Sequence, residues 1–268
     1  MKLENKIKRL KKIIRDMDSV LVAFSAGVDS TLLLKIVSMV LPKENILAVT
    51  ASSATYTKEE LSLAKDIARA FGVRHKIIMT RELEDGKFTA NPVNRCYFCK
   101  RELFSRLRDM AARFKINFVL DASNISDKAD FRPGNKAKEE FKIRSPLEEA
   151  GFSKDDIRLL SRRLRLSTWN KPAMACLASR VPYGIKITAP ILARVNKAET
   201  FLRQLGFLEA RLRHYNGLCR IEVSKSDIPG LIRRNKVIVE KLKRLGYNYI
   251  TVDLEGYRTG SLNEVIER

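Results

Sequence analysis

The stretch Val20-Leu21-Val22-Ala23-Phe24-Ser25-Ala26-Gly27-Val28-Asp29-Ser30-Thr31-Leu32-Leu33-Leu34-Lys35-Ile36-Val37 decides the fold. Two apolar runs flank a short segment of small and polar residues, the order of a buried strand, a tight turn and a helix. Such a turn presents backbone N–H groups at a helix N-terminus, where unpaired donors and the positive end of the dipole attract phosphate. Gly27 lets the main chain approach a ligand, and Ser25, Ser30 and Thr31 add hydroxyl groups. No lysine follows a glycine here, which excludes the GxxxxGK[ST] loop of ordinary NTPases. A generic junction with serines as helix caps is the plainer alternative. The run of small and polar residues between two apolar runs favours phosphate.

Outward from this stretch the first half alternates strand and helix. Val20–Phe24, Asn45–Ala51, His75–Met79 and Asn117–Asp121 read as strands, and Thr31–Val40, Thr57–Phe71 and Lys100–Phe114 as helices. Thr57 with Glu60 three residues on forms a capping-box pattern, and Gly72 ends that helix. Leu3, Ile7, Leu10, Ile14 and Met17 recur at helical spacing, predicting an amphipathic N-terminal helix packed on the sheet. The alternation predicts a parallel sheet covered on both faces, with ligands beyond the carboxyl ends of its strands. Ser25, Ala51-Ser52-Ser53 and Asp121-Ala122-Ser123-Asn124 fall at those ends, three small polar loops that suit a nucleotide.

Beyond Asp121 the pattern changes. Ser153–Leu166 reads as a helix capped by Ser153, and Ser167–Pro190 is rich in proline and small residues, a domain junction. Ile191–Leu205 reads as a helix stopped by Gly206. Ala210–His214 and Cys219–Val223 read as strands around Asn216-Gly217. Asp227–Leu245 reads as one helix and Tyr247–Leu254 as a last strand. The expectation is an α/β chain with a parallel-sheet domain over 1–170 and a smaller C-terminal α/β domain over 171–268.

A chain of 268 residues with 45% hydrophobic content can bury a substantial core. No apolar run approaches the roughly 18 residues needed to cross a bilayer, so no membrane partner is expected. Met1–Asp16 is basic without an apolar signal-peptide core, which points to a cytoplasmic location. Lys and Arg number 52 against 31 Asp and Glu, a formal charge of +21. Such a field favours polyanionic partners such as ATP, nucleotide substrates or RNA, against the alternative of a merely solvated basic surface. For the concentration Arg158, Arg162, Arg163 and Arg165 the solvated surface is the better reading.

The four cysteines are too few for a disulfide framework in a chain this long. Cys96 and Cys99 form C-x-x-C beside Arg95 and Lys100, and Cys176 lies far downstream in Met174-Ala175-Cys176-Leu177-Ala178-Ser179-Arg180. The close pair can share a metal or cluster, and the basic flank favours thiolate. Three cysteines suit a 4Fe–4S cluster with one open iron; zinc needs a fourth ligand. A redox disulfide at Cys96/Cys99 and simple burial remain open as alternatives. Cys219, in an apolar run, reads as core.

These stretches together resemble one family. The segment Ser25–Ser30 resembles the SGGxDS PP-loop of ATP pyrophosphatases, with Ala26 in place of the first glycine. Asn91–Lys100, Asp130-Phe131-Arg132-Pro133-Gly134, Arg144-Ser145-Pro146-Leu147, Lys171–Gly184 and Tyr257–Asn263 extend the resemblance to LarE-type ATP-dependent sulfur transferases over nearly the whole chain. The resemblance implies an adenine nucleotide alpha hydrolase-like fold and a role in synthesis of a nickel-pincer nucleotide. ATP with Mg2+ would adenylate a carboxylate of a pyridinium dicarboxylate mononucleotide, and sulfur would displace AMP to give a thiocarboxylate. One branch of the family sacrifices the cysteine matching Cys176; another holds a 4Fe–4S cluster on three cysteines. The presence of Cys96, Cys99 and Cys176 favours the cluster branch.

The resemblance also assigns residues. Ser25, Gly27, Val28, Asp29, Ser30, Ser52, Asp121, Ser123, Asn124 and Arg132 fall on the nucleotide side, with Asp29 either helping to hold Mg2+ or capping the helix. Arg180, Arg211 and Arg213 match positions near the substrate phosphate, where bidentate guanidinium groups suit phosphate and carboxylate. Arg211 and Arg213, two apart in a strand, share a face, whose plainer reading is an ordinary exposed strand face. Glu199 and Glu222 match carboxylates near a metal-binding region; for Glu199 a helix surface is the plainer reading. Ala122 stands, like Ala26, where glycine is usual, and a turn requiring positive φ at Ala26 would be strained. The resemblance also implies homo-oligomers, hexamers in the family, with the domain over 171–268 serving substrate binding and oligomerisation. The competing readings are a tRNA thiolase, supported by the charge, and a nucleotide-binding paralogue without catalysis.

Overall fold

Parallel pairing organises the first half of the chain. The computed structural model describes residues 2–53, 58–129, 133–171, 176–258 and 260–264. In chain order the elements are α1 (Leu3–Arg15), β1 (Val20–Ala23), α2 (Val28–Val40), β2 (Ile46–Ser52), α3 (Lys58–Ala70), β3 (Arg74–Met79), α4 (Gly86–Thr89), α5 (Arg95–Arg113), β4 (Phe118–Leu120), α6 (Gly134–Glu140), α7 (Pro146–Glu149), α8 (Lys154–Arg163), α9 (Ala189–Gln204), β5 (Arg211–Tyr215), β6 (Leu218–Glu222), α10 (Ile228–Arg233), α11 (Asn235–Arg244) and β7 (Tyr249–Val252). The chain divides into two compact units, one of residues 1–82 and 94–174, the other of residues 83–93 and 175–268.

The first unit is a four-stranded sheet in the order β3-β2-β1-β4, every pair parallel. Alternation along the strands sorts the core to two faces. Val20, Val22, Ile46 and Ala48 join Leu10, Ile14, Leu33, Leu34, Ala64, Ile67, Ile157 and Leu160 on one side. Leu21, Leu47, Val49 and Val119 join Phe104, Leu107, Ala111 and Ala137 on the other. The sheet is therefore covered by α1, α2, α3 and α8 on one face and by α5 and α6 on the opposite one. The N-terminal helix reaches that core by packing along α2 and α7. The chain moves outward from β1 to β2 and β3 and then returns to the far side of β1 as β4. That reversal makes the C-terminal ends of β1 and β4 a topological switch point, where open α/β sheets hold their ligands.

Two elements begin earlier than the sequence pattern predicts. Helix α2 starts at Val28, not Thr31, because the small polar residues of the turn already form its first turn. Helix α5 starts at Arg95, not Lys100, and so carries Cys96 and Cys99 in its first two turns. Thr57, the predicted cap of α3, lies outside the described residues. Ser153 caps α8 as predicted, with Ser153 Oγ accepting from the Asp156 N–H and Asp156 accepting from the Ser153 N–H.

The second unit pairs β5 with β6 as an antiparallel hairpin and β6 with β7 in parallel. Asn216 takes φ 56° at the hairpin turn, a left-handed conformation that Asn tolerates. The single helix predicted over Asp227–Leu245 is instead two. The Arg234 N–H donates to Leu231 O and closes α10, while Arg234 O accepts from the Ile238 N–H and opens α11. The segment 83–93 joins this unit through Asn91. Its fully buried side chain donates from Nδ2 to the carbonyls of Val181, Pro182 and Ile185, at 3.2, 2.7 and 2.9 Å. Among the described residues no helix is long and apolar enough to cross a membrane.

Candidate functional site

The loop after β1 is built from short side chains folded back on their own backbone. Ser30 Oγ receives the Ser25 N–H at 3.3 Å, contacts Ser25 Oγ at 3.1 Å and lies 3.4 Å from Gly27 O, to which it can donate. Gly27 is the N-cap of α2 and offers no side-chain cap to the N–H groups of the first turn. Thr31 is buried, and its hydroxyl has no partner among the described residues. Ala26 is fully buried with φ 55°, the left-handed region expected to be strained for a residue bearing a Cβ. Ala122 is not among the positive-φ residues, so of the two alanine positions only the first requires the unusual backbone.

Asp29, one residue into α2, faces two partners. Lys154 Nζ approaches Oδ2 at 2.5 Å and Asn124 Nδ2 approaches Oδ1 at 3.4 Å. Asn124 and Asp29 thus join the loops after β4 and β1. The β4 loop has its own scaffold. Asp121, buried, accepts from the Ser123 N–H and Oγ and from Ser145 Oγ, the last at 2.6 Å. Ser145, in the Arg144-Ser145-Pro146-Leu147 stretch, is thereby an orienting partner of Asp121. Ser52 ends β2 and its carbonyl accepts from the Thr80 N–H. Arg132 lies outside the described residues.

Two lysines sit at this loop, Lys154, which no motif marked, and Lys171, which opens the Lys171–Gly184 stretch without a role assigned to it. Lys154 opens α8 beside Asp29, and Lys171 donates to Ala26 O at 3.3 Å. Burial pushes the Lys171 ammonium below its usual pKa, opposed by Glu60. Neither lysine follows a glycine-rich pattern; Lys154 is revealed only by its place in the fold, and the role of Lys171 only by its contact with Ala26 O.

Cys96 is exposed and Cys99 half-buried; three residues apart on α5, they share a helix face. Tyr97 between them donates to Glu140 at 2.9 Å and stacks edge-on against Phe98. Cys176 is exposed in the second unit, just before the turn Leu177–Arg180. Cys219 is fully buried on β6, where burial pushes its thiol up to about 12. Among the described residues no three His, Cys, Asp or Glu side chains form a group that could hold a metal ion.

The second unit carries a buried arginine–glutamate network. Arg180 donates from Nε and a terminal nitrogen to the two oxygens of Glu199 at 2.7 and 3.1 Å, and the Leu212 N–H donates to Glu199 Oε1 at 3.0 Å. Arg213 forms the same bidentate fork on Glu222 at 2.9 and 2.6 Å, and Arg220 and Ser261 complete that carboxylate. Arg213 also donates to Ser179 O, tying β5 to the turn behind Cys176. Arg211 lies 5.3 Å from the Tyr257 ring centroid. Burial, and then the neighbouring charge of Arg180, pull its guanidinium below the usual pKa, against the opposing pull of Glu199 and Tyr257. Arg180, Glu199, Arg211, Arg213 and Glu222 are all buried. The exposed-face readings for the strand arginines and for Glu199 are thus corrected: a β5 face that alternation alone leaves undecided is covered. In the basic concentration of the first unit, by contrast, Arg162, Arg163 and Arg165 are exposed and Arg158 half-buried, as a solvated surface requires.

Comparison with known proteins places this geometry. The NAD synthase family model matches residues 3–125, from α1 through the loop after β4. A protein of Lactiplantibacillus plantarum, pyridinium-3,5-bisthiocarboxylic acid mononucleotide synthase, is 38% identical over 255 residues, 95% of this chain and 92% of its own length. The chain belongs to the LarE family of PP-loop sulfur transferases. It is accordingly an ATP-dependent sulfur transferase. An uncharacterized protein of Synechocystis is 41% identical over 268 residues, 99% of this chain and all of its own. One of Methanocaldococcus jannaschii is 29% identical over 262 residues, 97% of each. The reading of the chain as a paralogue without catalysis gives way to this kinship, and the LarE resemblance read from the motifs is borne out.

Proposed function

We propose that this LarE-family chain uses ATP to adenylate a carboxylate of a pyridinium dicarboxylate mononucleotide and replaces AMP with sulfur, forming a thiocarboxylate. The observation that carries the reading is the loop after β1. An α2 N-terminus without a side-chain cap, a buried unpartnered Thr31 hydroxyl and two lysines lie at one end of a parallel sheet. That set suits the phosphates of ATP, with Mg2+ screening them and Asp29 the carboxylate within reach. Ser25, Gly27, Val28, Ser30, Ser52, Ser123 and Asn124 belong to the same ATP site in this reading, and Asp121 orients its second loop.

In the first step a substrate carboxylate oxygen attacks the α-phosphorus of ATP. The α–β bridging P–O bond breaks and pyrophosphate leaves with its electron pair. The acyl adenylate is activated because AMP is a stable leaving group. Sulfur then forms a C–S bond at the acyl carbon as the C–O bond to AMP breaks. Arg180, Arg211 and Arg213 receive the substrate's phosphate. A cation at Glu199 or Glu222 would have to displace guanidinium partners from both oxygens of each carboxylate. We therefore assign these two glutamates to holding the arginines.

Cys96, Cys99 and Cys176 supply the sulfur chemistry. Two exposed or half-exposed thiols one helical turn apart, with a basic flank, and a third exposed thiol are a donor set suited to a 4Fe–4S cluster. Such a cluster, when bound, would present sulfide as a nucleophile. Iron and labile sulfide in anaerobically prepared protein test it; iron-free protein still active for one turnover would assign the sulfur to Cys176 alone.

Cys176→Ala decides the division of labour. With ATP and the pyridinium mononucleotide, pyrophosphate release is expected to persist while thiocarboxylate is lost. Loss of both would make the cysteine structural. Pyrophosphate release with bulk tRNA and none with the mononucleotide would favour a tRNA thiolase, the reading to which the charge of +21 also lends itself.

A further inference from the structure

Behind the loop, His75 on β3 and Thr50 on β2 form a hydrogen-bonded chain that ends on the backbone just after β1. Thr50, buried on β2, has its hydroxyl 2.7 Å from Phe24 O, the last carbonyl before the loop. The same hydroxyl is 2.8 Å from His75 Nε2 on β3. Thr50 pairs with Ile77 and Ala48 with His75, so Thr50 and His75 are diagonal neighbours on one face of the sheet. The His75 ring stands edge-on to Phe24, centroids 6.1 Å apart.

A threonine hydroxyl has one proton. Phe24 O can only accept, so Thr50 gives its proton there and must accept from His75. That fixes the proton of the imidazole on Nε2. Burial, and secondarily Lys65, hold His75 below its ordinary pKa, which keeps the ring neutral and the tautomer defined.

We propose that His75 and Thr50 are positioning residues for the ATP loop, a relay that locks the Phe24–Ser25 peptide plane. The proposal rests on the ATP reading of that loop. The plane is gripped from both sides. Its carbonyl accepts from Thr50, and its N–H, which points the opposite way in a trans peptide, donates to Ser30 Oγ. The next residue is Ala26 in the left-handed region. The φ of Ala26 turns the Ser25–Ala26 peptide, which neither of these bonds grips; what the lock fixes is the plane entering Ser25, and with it the aim of the Ser25 N–H and hydroxyl at the head of the loop. A third strand thereby contributes to nucleotide binding without touching the nucleotide.

Thr50→Val removes the hydroxyl at constant shape, and His75→Phe removes the donor while keeping a ring. Each is expected to weaken binding of an α,β-methylene ATP analogue by calorimetry about three- to tenfold, the worth of one neutral hydrogen bond. In pyrophosphate release the loss should appear in KM for ATP with kcat nearly unchanged. Thr50→Ser and His75→Gln keep a hydroxyl and an N–H donor and should restore affinity. Nitrogen-15 NMR of the wild-type chain should find His75 protonated on Nε2, a readout independent of any variant's folding. A proton on Nδ1 overturns the relay, as do Thr50→Val and His75→Phe chains that bind the analogue like the wild type. A wild-type chain that fails to bind the analogue removes the ATP site itself and the relay's purpose with it.

Discussion

The loop after β1 and the β5–β6 hairpin carry their hydrogen-bonding capacity in opposite ways. The loop relies on main-chain N–H groups and small hydroxyls, and its charged residue, Asp29, is partly exposed beside Lys154. The hairpin region relies on guanidinium groups held by carboxylates that are almost wholly removed from water. A backbone site tolerates changes in side chains because its donors are present whatever the sequence. A buried ionic network does not, because each member is what makes the burial of the others tolerable. The first kind of site is cheap to build and local in sequence; the second is costly and assembled from distant positions.

Reactivity gives the largest contrast on the hairpin itself. One face carries Arg211, Arg213, Arg220 and Glu222, and the other Leu212, His214, Cys219 and Ile221. With its pKa pushed up to about 12 by burial, Cys219 stays a neutral thiol through pH 8. The expected alkylation by iodoacetamide at pH 8 is about a thousandfold slower for Cys219 than for an ordinary exposed thiol, from its thiolate fraction alone. Exposed Cys96 and Cys176 should label first in native, metal-free protein, followed by mass spectrometry. Prompt labelling of Cys219 would mean that the core face of the hairpin opens.

Stability gives the next contrast. Glu222→Gln leaves Arg213 and Arg220 facing an uncharged group in a site where Glu222 is fully buried. Breaking a buried pair in this way costs about 3–5 kcal/mol, read as a shift in the denaturant midpoint. Lys154→Ala breaks the half-exposed pair at Asp29. It should cost less than about 1 kcal/mol. Equal losses from the two variants would erase the distinction between the regions. Ser153→Ala falls between them. It removes the hydroxyl of the α8 capping box, with an expected loss of about 1 kcal/mol in the same melts.

The same distinction explains what could be read from the sequence. The parallel sheet, its strand ends and the nucleotide loop were legible because each rests on consecutive residues: a period-two or helical apolar pattern, then a short polar turn. The capping box at Ser153 was legible for the same reason. The burial of Glu199 and Glu222 was not, because alternation places Arg211 and Arg213 on one face without saying what covers it. The groups at positions 180, 199, 213, 220, 222 and 261 meet only in the folded chain. Asn91 was legible only as part of a motif. Its role in fastening 83–93 to the turn behind Cys176 depends on three carbonyls about ninety residues away in sequence. The Asp227–Leu245 helix was read as continuous because periodicity continues through Arg234, where a single shortened hydrogen bond divides it.

The two alanines that replace glycine offer the smallest effect and the sharpest internal control. Ala26 has φ 55° and is fully buried, whereas Ala122 has no left-handed backbone and is half-buried. Holding a Cβ in the left-handed region costs about 1–2 kcal/mol, which Ala26→Gly would relieve. The substitution also removes one buried methyl group, which returns about 0.8 kcal/mol. Glycine also loosens the unfolded chain by about 0.5 kcal/mol, so the balance is a stabilisation of at most about 0.7 kcal/mol, seen as a small rise in the denaturant midpoint. At Ala122, half-buried against the core, no strain is relieved, and glycine loses that contact as well as loosening the unfolded chain, so Ala122→Gly should lower stability by about 0.5–1 kcal/mol. The two changes are chemically identical and differ only in the backbone that receives them. Opposite signs would establish that the loop after β1 stores strain that the loop after β4 does not; equal losses would mean that Ala26 holds its left-handed backbone at little cost.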